Sequence, residues 1–146
     1  MTTLEEAAEV GHDQHRLAVV STVRADLTVQ SSVVNAGVLD HPAGGEPVLA
    51  FVTYGPVKLA HLRARPQLTA TFRSGWRWAT VEGRAELAGP DDPQPWLASG
   101  EELRLLLRAV FKAAGGEHED WAEYDRVMAE QRRTVVLVRP ERIYGS

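Results

Sequence analysis

Leu68-Thr69-Ala70-Thr71-Phe72-Arg73, then Ser74-Gly75, then Trp76-Arg77-Trp78-Ala79-Thr80-Val81-Glu82-Gly83-Arg84-Ala85-Glu86-Leu87 read as a strand, a turn and a long returning strand. The first run alternates with period two, as a half-buried strand does, and Ser-Gly is turn chemistry. Upstream, Val57 to Arg65 has apolar residues at 57, 59, 60 and 62, which predicts a short helix stopped before Pro66. Val48 to Thr53 is a strand ending at Tyr54-Gly55-Pro56, preceded by a loop from Asp40 to Pro47 that is dense in turn residues. Leu27 to Leu39 supplies one longer strand, and Ala25-Asp26 turns it back onto Leu17-Ala18-Val19-Val20-Ser21-Thr22-Val23. A capping box at Thr3-Leu4-Glu5-Glu6 opens a helix running to about His15.

Downstream of the hairpin, Gly89-Pro90-Asp91-Asp92-Pro93 breaks the sheet pattern. Leu103, Leu106, Leu107, Val110 and Phe111 then fall at helical spacing, with Gly115-Gly116 as the stop. Trp121, Tyr124 and Met128 mark another amphipathic helix. The strand Thr134-Val135-Val136-Leu137-Val138 and the segment Arg139 to Gly145 follow it. About six strands joined mostly by short turns, with the long helices late, predict an α+β protein built on an antiparallel sheet or barrel.

The 146 residues, 44% of them hydrophobic, suit a single domain over 1–146. There is no cysteine, which excludes disulfides, thiolate metal sites and a cysteine nucleophile. No apolar run approaches the roughly 20 residues of a membrane span. The start, Met1-Thr2-Thr3-Leu4-Glu5-Glu6, is acidic where a signal peptide is basic, so the expected location is the cytoplasm. A net charge of −4 argues against nucleic acid as a partner.

Most catalytic patterns are missing. His12 and His15 sit three apart on the predicted first helix, but no carboxylate is placed as a third metal ligand, and a solvated helix face accounts for the pair. Neither Ser21, Ser31 nor Ser32 lies in G-x-S-x-G, and Gly115-Gly116 follows a helix, so it reads as a cap instead of a phosphate cradle. Thr53-Tyr54-Gly55-Pro56-Val57-Lys58 differs. It ends a strand and starts a helix, bringing a hydroxyl, backbone donors and a lysine to a helix N-terminus, where anions bind. Arg63 and Arg65 add charge on the same helix; the alternative is a plain strand-turn-helix with Lys58 exposed. Trp76 and Trp78, two apart on the predicted strand, share a face and form either an aromatic wall for a planar ligand or a packing contact.

The order of these features resembles the flavin and deazaflavin oxidoreductases of the split β-barrel fold, the superfamily of pyridoxamine 5′-phosphate oxidase. Four stretches carry the resemblance: Leu17 to Asp26; Lys58-Leu59-Ala60-His61-Leu62-Arg63-Ala64-Arg65-Pro66, similar to K-x-x-N-L-R-x-x-P; Arg77 to Leu87, similar to R-W-x-x-V-E-G-x-A-x-L; and Val138 to Gly145, similar to V-x-P-x-R-V-x-G. Two positions depart from the pattern. Asp26-Leu27-Thr28-Val29 stands where the family has D-G-x-P, and His61 where asparagine is usual.

The resemblance implies a six-stranded antiparallel split β-barrel with flanking helices, assembled as a homodimer. It is strongest to the branch that uses the deazaflavin coenzyme F420. By that likeness Lys58 contacts the cofactor phosphate, helped by Thr53, Pro56 and Val57. Ser31, Ser32 and Val33 run beside the ring, Trp76 or Trp78 lines the groove, and Arg63 is a candidate for the acidic tail, with Arg65 and Arg73. The implied reaction is hydride transfer from reduced F420 to an unsaturated small molecule of tetrapyrrole, quinone or enone type, with no catalytic side chain named. An FMN-dependent oxidoreductase of the same fold and a non-catalytic F420 carrier are the alternatives.

Overall fold

The computed structural model describes residues 3–146; Met1 and Thr2, at the start of the acidic N-terminal stretch, lie outside the described residues. Seven strands form one antiparallel sheet: β1 (Leu17–Val23), β2 (Val29–Asn35), β3 (Gly37–Asp40), β4 (Pro47–Thr53), β5 (Gln67–Ser74), β6 (Arg77–Ala88) and β7 (Thr134–Gly145). Their hydrogen-bonded order is β2-β1-β5-β6-β7-β4-β3. Four helices flank it: α1 (Leu4–Glu9), α2 (Pro56–Ala64), α3 (Gly100–Ala113) and α4 (Trp121–Glu130). The α+β class expected from sequence holds, but the strand count and closure do not. There are seven strands, not six, and the edge strands β2 and β3 are not paired to each other, so the ladder stays open.

The extra strand arises where one long strand was expected. Val29–Asn35 pairs with β1, whereas Gly37–Asp40 pairs with β4 at the opposite edge of the sheet. The chain changes partner at Ala36, which is fully buried and donates its N–H to Arg16 O at 3.0 Å. Only a residue without a side chain fits next. A Cβ at Gly37 would stand 2.0 Å from the carbonyl oxygen of Ala113, so α3 rests directly on the backbone at that break.

β4 and β7 explain why the late apolar run is continuous. Leu49, Phe51, Val136 and Val138 face a core shared with α1, α2 and the inner sides of β1, β5 and β6. Val48, Ala50, Val135 and Leu137 face the other way, against Leu106, Leu107 and Val110 of α3 and Tyr124 of α4. A strand buried on both faces has no polar alternation to show. β1 and β2 are covered on one side only, and Leu17, Val19, Val29 and Val33 stand exposed on the other.

Three further boundaries moved. The first helix ends at Glu9 rather than His15, with Val10 as its C-cap, and gives way to a 3₁₀ turn at His12–Gln14. Its first turn is capped as expected, with Thr3 Oγ1 accepting from Glu6 N–H at 3.1 Å. Trp76 lies in the Ser74–Arg77 turn, outside β6, so it does not share a strand face with Trp78. The closing strand runs from Thr134 to Gly145 as one element, its register against β6 shifting between Glu82 and Gly83.

The first hairpin is closed by Leu27 with φ 70°. Asp26 Oδ1 accepts from the N–H of Thr28 at 3.0 Å, and its carboxyl is held below the usual range chiefly by the Thr28 hydroxyl. A left-handed leucine costs about 1–2 kcal/mol relative to glycine. Leu27→Gly is therefore expected to raise stability by about 0.5–1 kcal/mol in urea unfolding, the larger freedom of the unfolded glycine chain offsetting the rest. A loss of stability would contradict this turn geometry.

Candidate functional site

A groove of about 510 Å³ lies where the end of β2, the β4–α2 turn, and the α3–α4 pair meet. That volume is within the range of small-molecule sites. Val33, Val34 and Asn35 form one wall, Thr53, Tyr54, Gly55, Pro56 and Lys58 the second, and Val110, Phe111, Ala114, Tyr124 and Met128 the third. Val52 and Arg133 complete the lining, which holds no carboxylate.

Local sequence dictates the anionic end. Gly55 is the N-cap of α2 and Pro56 its first residue, and no side chain caps this helix. Pro56 has no N–H to give, so the open first-turn donors are those of Val57 and Lys58. Thr53 Oγ1 accepts from Gly55 N–H at 3.3 Å, which fixes the turn ahead of them. Lys58 Nζ stands 5.7 Å from the Phe51 ring centroid and has no carboxylate within salt-bridge distance among the described residues. Burial pushes its pKa below that of an ordinary lysine.

Arg133 is the second cation of the groove. α4 ends in a Schellman closure, with Arg132 N–H donating to Ala129 O at 3.1 Å and Arg133 N–H to Met128 O at 3.0 Å. Arg132 takes the left-handed position at φ 50° without glycine. The next residue, Arg133, thereby turns inward, its guanidinium carbon 3.8 Å from the Tyr54 ring centroid. Burial lowers its pKa as well. Two half-buried cations without a carboxylate beside them favour a bound anion.

The helical wall is rigid. Arg108 Nε and Arg104 Nη1 of α3 donate to Asp125 of α4 at 2.9 and 3.0 Å, and the Arg108 bond is the larger cause of that carboxyl's lowered pKa. Tyr124 Oη donates to Leu107 O at 3.0 Å, and burial pushes its pKa up to about 12, so it remains a neutral donor. Phe111 packs on Tyr124 with centroids 4.9 Å apart, and Trp121 closes on Tyr124 edge-on at 5.3 Å.

The structure thus brings Thr53, Pro56, Lys58 and Val33 of the sequence candidates to one groove. Val57 is exposed beside it, contributing its backbone to the helix start. The others lie elsewhere. Ser31 bonds Ser21 on the outer face of β1 and β2, Oγ to Oγ at 2.8 Å, and Ser32 precedes the groove wall without lining it. Arg63 is committed to Asp92 through two bonds of 2.9 and 2.6 Å, and Arg65 donates to Val23 O at 3.0 Å. Trp76 is 97% exposed, and Trp78 packs edge-on against Tyr144 at 6.1 Å. Sequence reasoning missed Asn35, Tyr54, Tyr124 and Arg133. Arg133 carried a faint signal, a basic pair between a helix end and an apolar strand. Among the described residues no cluster of metal-ligating side chains forms, and no helix is long and apolar enough to cross a membrane.

The chain is thus an open antiparallel sheet flanked by helices, with a carboxylate-free, cation-bearing groove at a helix N-terminus. No family model matches the chain. Solved structures do. Conserved protein Rv2991 of Mycobacterium tuberculosis superposes with a TM-score of 0.68 at 17% identity, over 99% of this chain and 84% of that one. A structure described as an F420 reductase gives 0.58 at 20% identity, over 88% of each chain. A Clostridium acetobutylicum protein related to general stress protein 26, of the pyridoxinephosphate oxidase family, gives 0.62 at 11% identity, over 97% of this chain and 85% of that one. At these identities the likeness establishes the shared fold.

Proposed function

We propose that this protein is an oxidoreductase of the pyridoxamine 5′-phosphate oxidase-like, F420-using kind, with its cofactor in the groove between β2, α2 and the α3–α4 pair. The observation that carries the reading is that Lys58 and Arg133, both half-buried and without a carboxylate, line one groove beside the uncapped start of α2. That donor set fits a phosphate, and Val33, Val34, Val110 and Phe111 offer apolar surface for a planar ring. The F420 reductase and the pyridoxinephosphate oxidase family protein among the structural neighbours support it.

When bound, a reduced deazaflavin supplies a hydride to an unsaturated acceptor. The chain's own residues then bind and orient. Lys58 and the Val57 and Lys58 N–H groups hold the phosphate, Arg133 adds a second charge from the α4–β7 turn, and the α3–α4 wall keeps water from one side. No carboxylate or imidazole lines this groove, which is the composition expected where the cofactor carries the chemistry. The exposed apolar residues Leu17, Val19 and Val29 on the outer sheet face support the homodimer expected from sequence.

Titration with F420 and with FMN tests the reading. Trp121 packs directly on Tyr124 and Phe111 of the groove wall, so ligand entry is expected to quench tryptophan emission saturably at micromolar concentration. Quenching by FMN alone would replace the deazaflavin with a flavin. Binding of F420 without oxidation of its reduced form across acceptors would make the protein a carrier. No quenching by either at tens of micromolar would overturn the reading.

A further inference from the structure

A second pocket, of about 370 Å³, adjoins the groove and shares Asn35, Phe111 and Ala114 with it. Its remaining walls are His12, His15, Arg16 and the glycines that end α3. We propose that this pocket binds the carboxylate of an acidic acceptor, so that the substrate is a small unsaturated acid; the word acceptor rests on the cofactor reading above, whereas the carboxylate site does not.

The polar side chains here point to an anion. Like the groove, the pocket holds no Asp or Glu in its lining. Arg16 Nη2 donates to His12 Nδ1 at 3.2 Å, and no carboxylate lies within salt-bridge distance of Arg16 among the described residues. With Nδ1 accepting from Arg16, the ring N–H of His12 is at Nε2, a further donor. Asp13, the nearest carboxylate in sequence, accepts from the Ser74 hydroxyl at 3.0 Å and is not part of the lining. A planar guanidinium with most of its donors unused is suited to a carboxylate.

The backbone is shaped to present these groups. His15 and Arg16 are consecutive left-handed residues, at φ 57° and 53°, and neither is glycine. Asn35 Nδ2 holds His15 O at 2.7 Å, while Arg16 O accepts from Ala36 N–H at 3.0 Å. Gly115, at φ 87°, passes under the Arg16 stem, where a Cβ would come within 3.4 Å of Cδ. Two such residues in succession are strained, and a strained turn that persists is over-determined by its surroundings. The strain here sets Arg16 over the pocket and beside Asn35, one of the three residues common to both cavities.

The continuity of the two pockets gives the arrangement a use. A ligand with its phosphate at Lys58 and its ring along Val33 to Asn35 reaches toward the shared wall, and a second molecule meets it from the Arg16 side. An acid held there is expected to be distinguished from its neutral analogue, because a carboxylate offers Arg16 two charged acceptor oxygens where an amide or ester offers one neutral carbonyl.

The experiment uses cinnamate as the acidic probe and cinnamamide as its neutral control, on the whole chain without cofactor. Histidine ring resonances are followed by NMR, with tryptophan quenching by F420 and FMN measured in parallel. Cinnamate is expected to shift the His12 and His15 signals saturably while cinnamamide does not. Arg16→Gln should weaken cinnamate binding at least fivefold, Arg16→Lys should restore only part of it, keeping the charge but not the planar fork, and neither should change cofactor quenching. Equal shifts with cinnamamide, or cinnamate affinity indifferent to Arg16→Gln in a protein with wild-type Tm, would overturn the carboxylate site. Saturable cinnamate binding without any cofactor quenching would overturn the cofactor reading and uphold the carboxylate site.

Discussion

Lys58→Met is expected to weaken binding of a phosphate-bearing cofactor by about tenfold to hundredfold, the size of one charge-assisted hydrogen bond of about 1.5–3 kcal/mol. The same change should raise the melting temperature of the ligand-free protein at pH 7. Lys58 is desolvated without a carboxylate, so its pKa in the folded state lies below its ordinary value. A lysine lowered on folding binds fewer protons folded than unfolded. Its cost to stability is absent above the unfolded pKa of about 10.4, grows as pH falls toward the folded value, and is fully present below it. Methionine keeps the stem and removes the charge, so the stabilisation should be largest near neutrality and fade as pH rises toward the unfolded pKa. Thermal melts from pH 6 to 10.5, with cofactor titrations at pH 7, check both halves. A destabilised variant with unaltered affinity would mean that Lys58 serves the fold and the anion binds elsewhere.

Gly37→Ala is expected to be the most damaging single methyl in the chain away from the core. The added Cβ would stand 2.0 Å from Ala113 O and 2.6 Å from Ala114 N, both backbone atoms of the end of α3. Backbone cannot swing aside as a flexible side chain can, so either α3 lifts or the β2–β3 break opens. A loss of about 2–3 kcal/mol follows, or roughly 5–10 °C in melting temperature for a chain of this size. Because Phe111 and Ala114 line both pockets, ligand affinity should fall along with stability. Gly100→Ala is the control: nothing lies within 4 Å of its added Cβ, and it opens α3 on the surface. If Gly37→Ala melts like the wild type, α3 does not dock as described.

Much of the fold was legible because its signals are local. Period-two alternation in Leu68 to Arg73, the stop before Pro66 and the glycine close of α3 each act through neighbouring residues, and each element formed within a residue or two of its expected place. The failures are long-range. Nothing between Leu27 and Leu39 announces that the chain changes partner at Ala36, since that depends on β1 and β4 lying at different places in the sheet. The first helix stopped early because Gly11 packs against Phe72, where a Cβ would come within 2.8 Å of the ring.

The site divides the same way. The Thr53 to Lys58 turn could be read as an anion site since strand, turn and helix start are contiguous in sequence. Arg133 could not. It enters the groove through the closure of α4, seventy-five residues beyond Lys58, and spacing says nothing about which of two adjacent arginines turns inward. Arg63 shows the converse. Its position on α2 looked suited to an acidic ligand, yet Asp92 from the Gly89–Pro93 loop takes its guanidinium.

The central claim is that the β4–α2 turn and Arg133 form the phosphate end of a cofactor groove. A crystal structure of the protein soaked with F420 tests it most directly. The account predicts the phosphate within hydrogen-bond distance of Lys58 Nζ and of the Val57 and Lys58 N–H groups, with Arg133 facing it and the ring against Val33 to Asn35. A phosphate bound away from α2, or a ring lodged against Trp76 and Trp78, would contradict it.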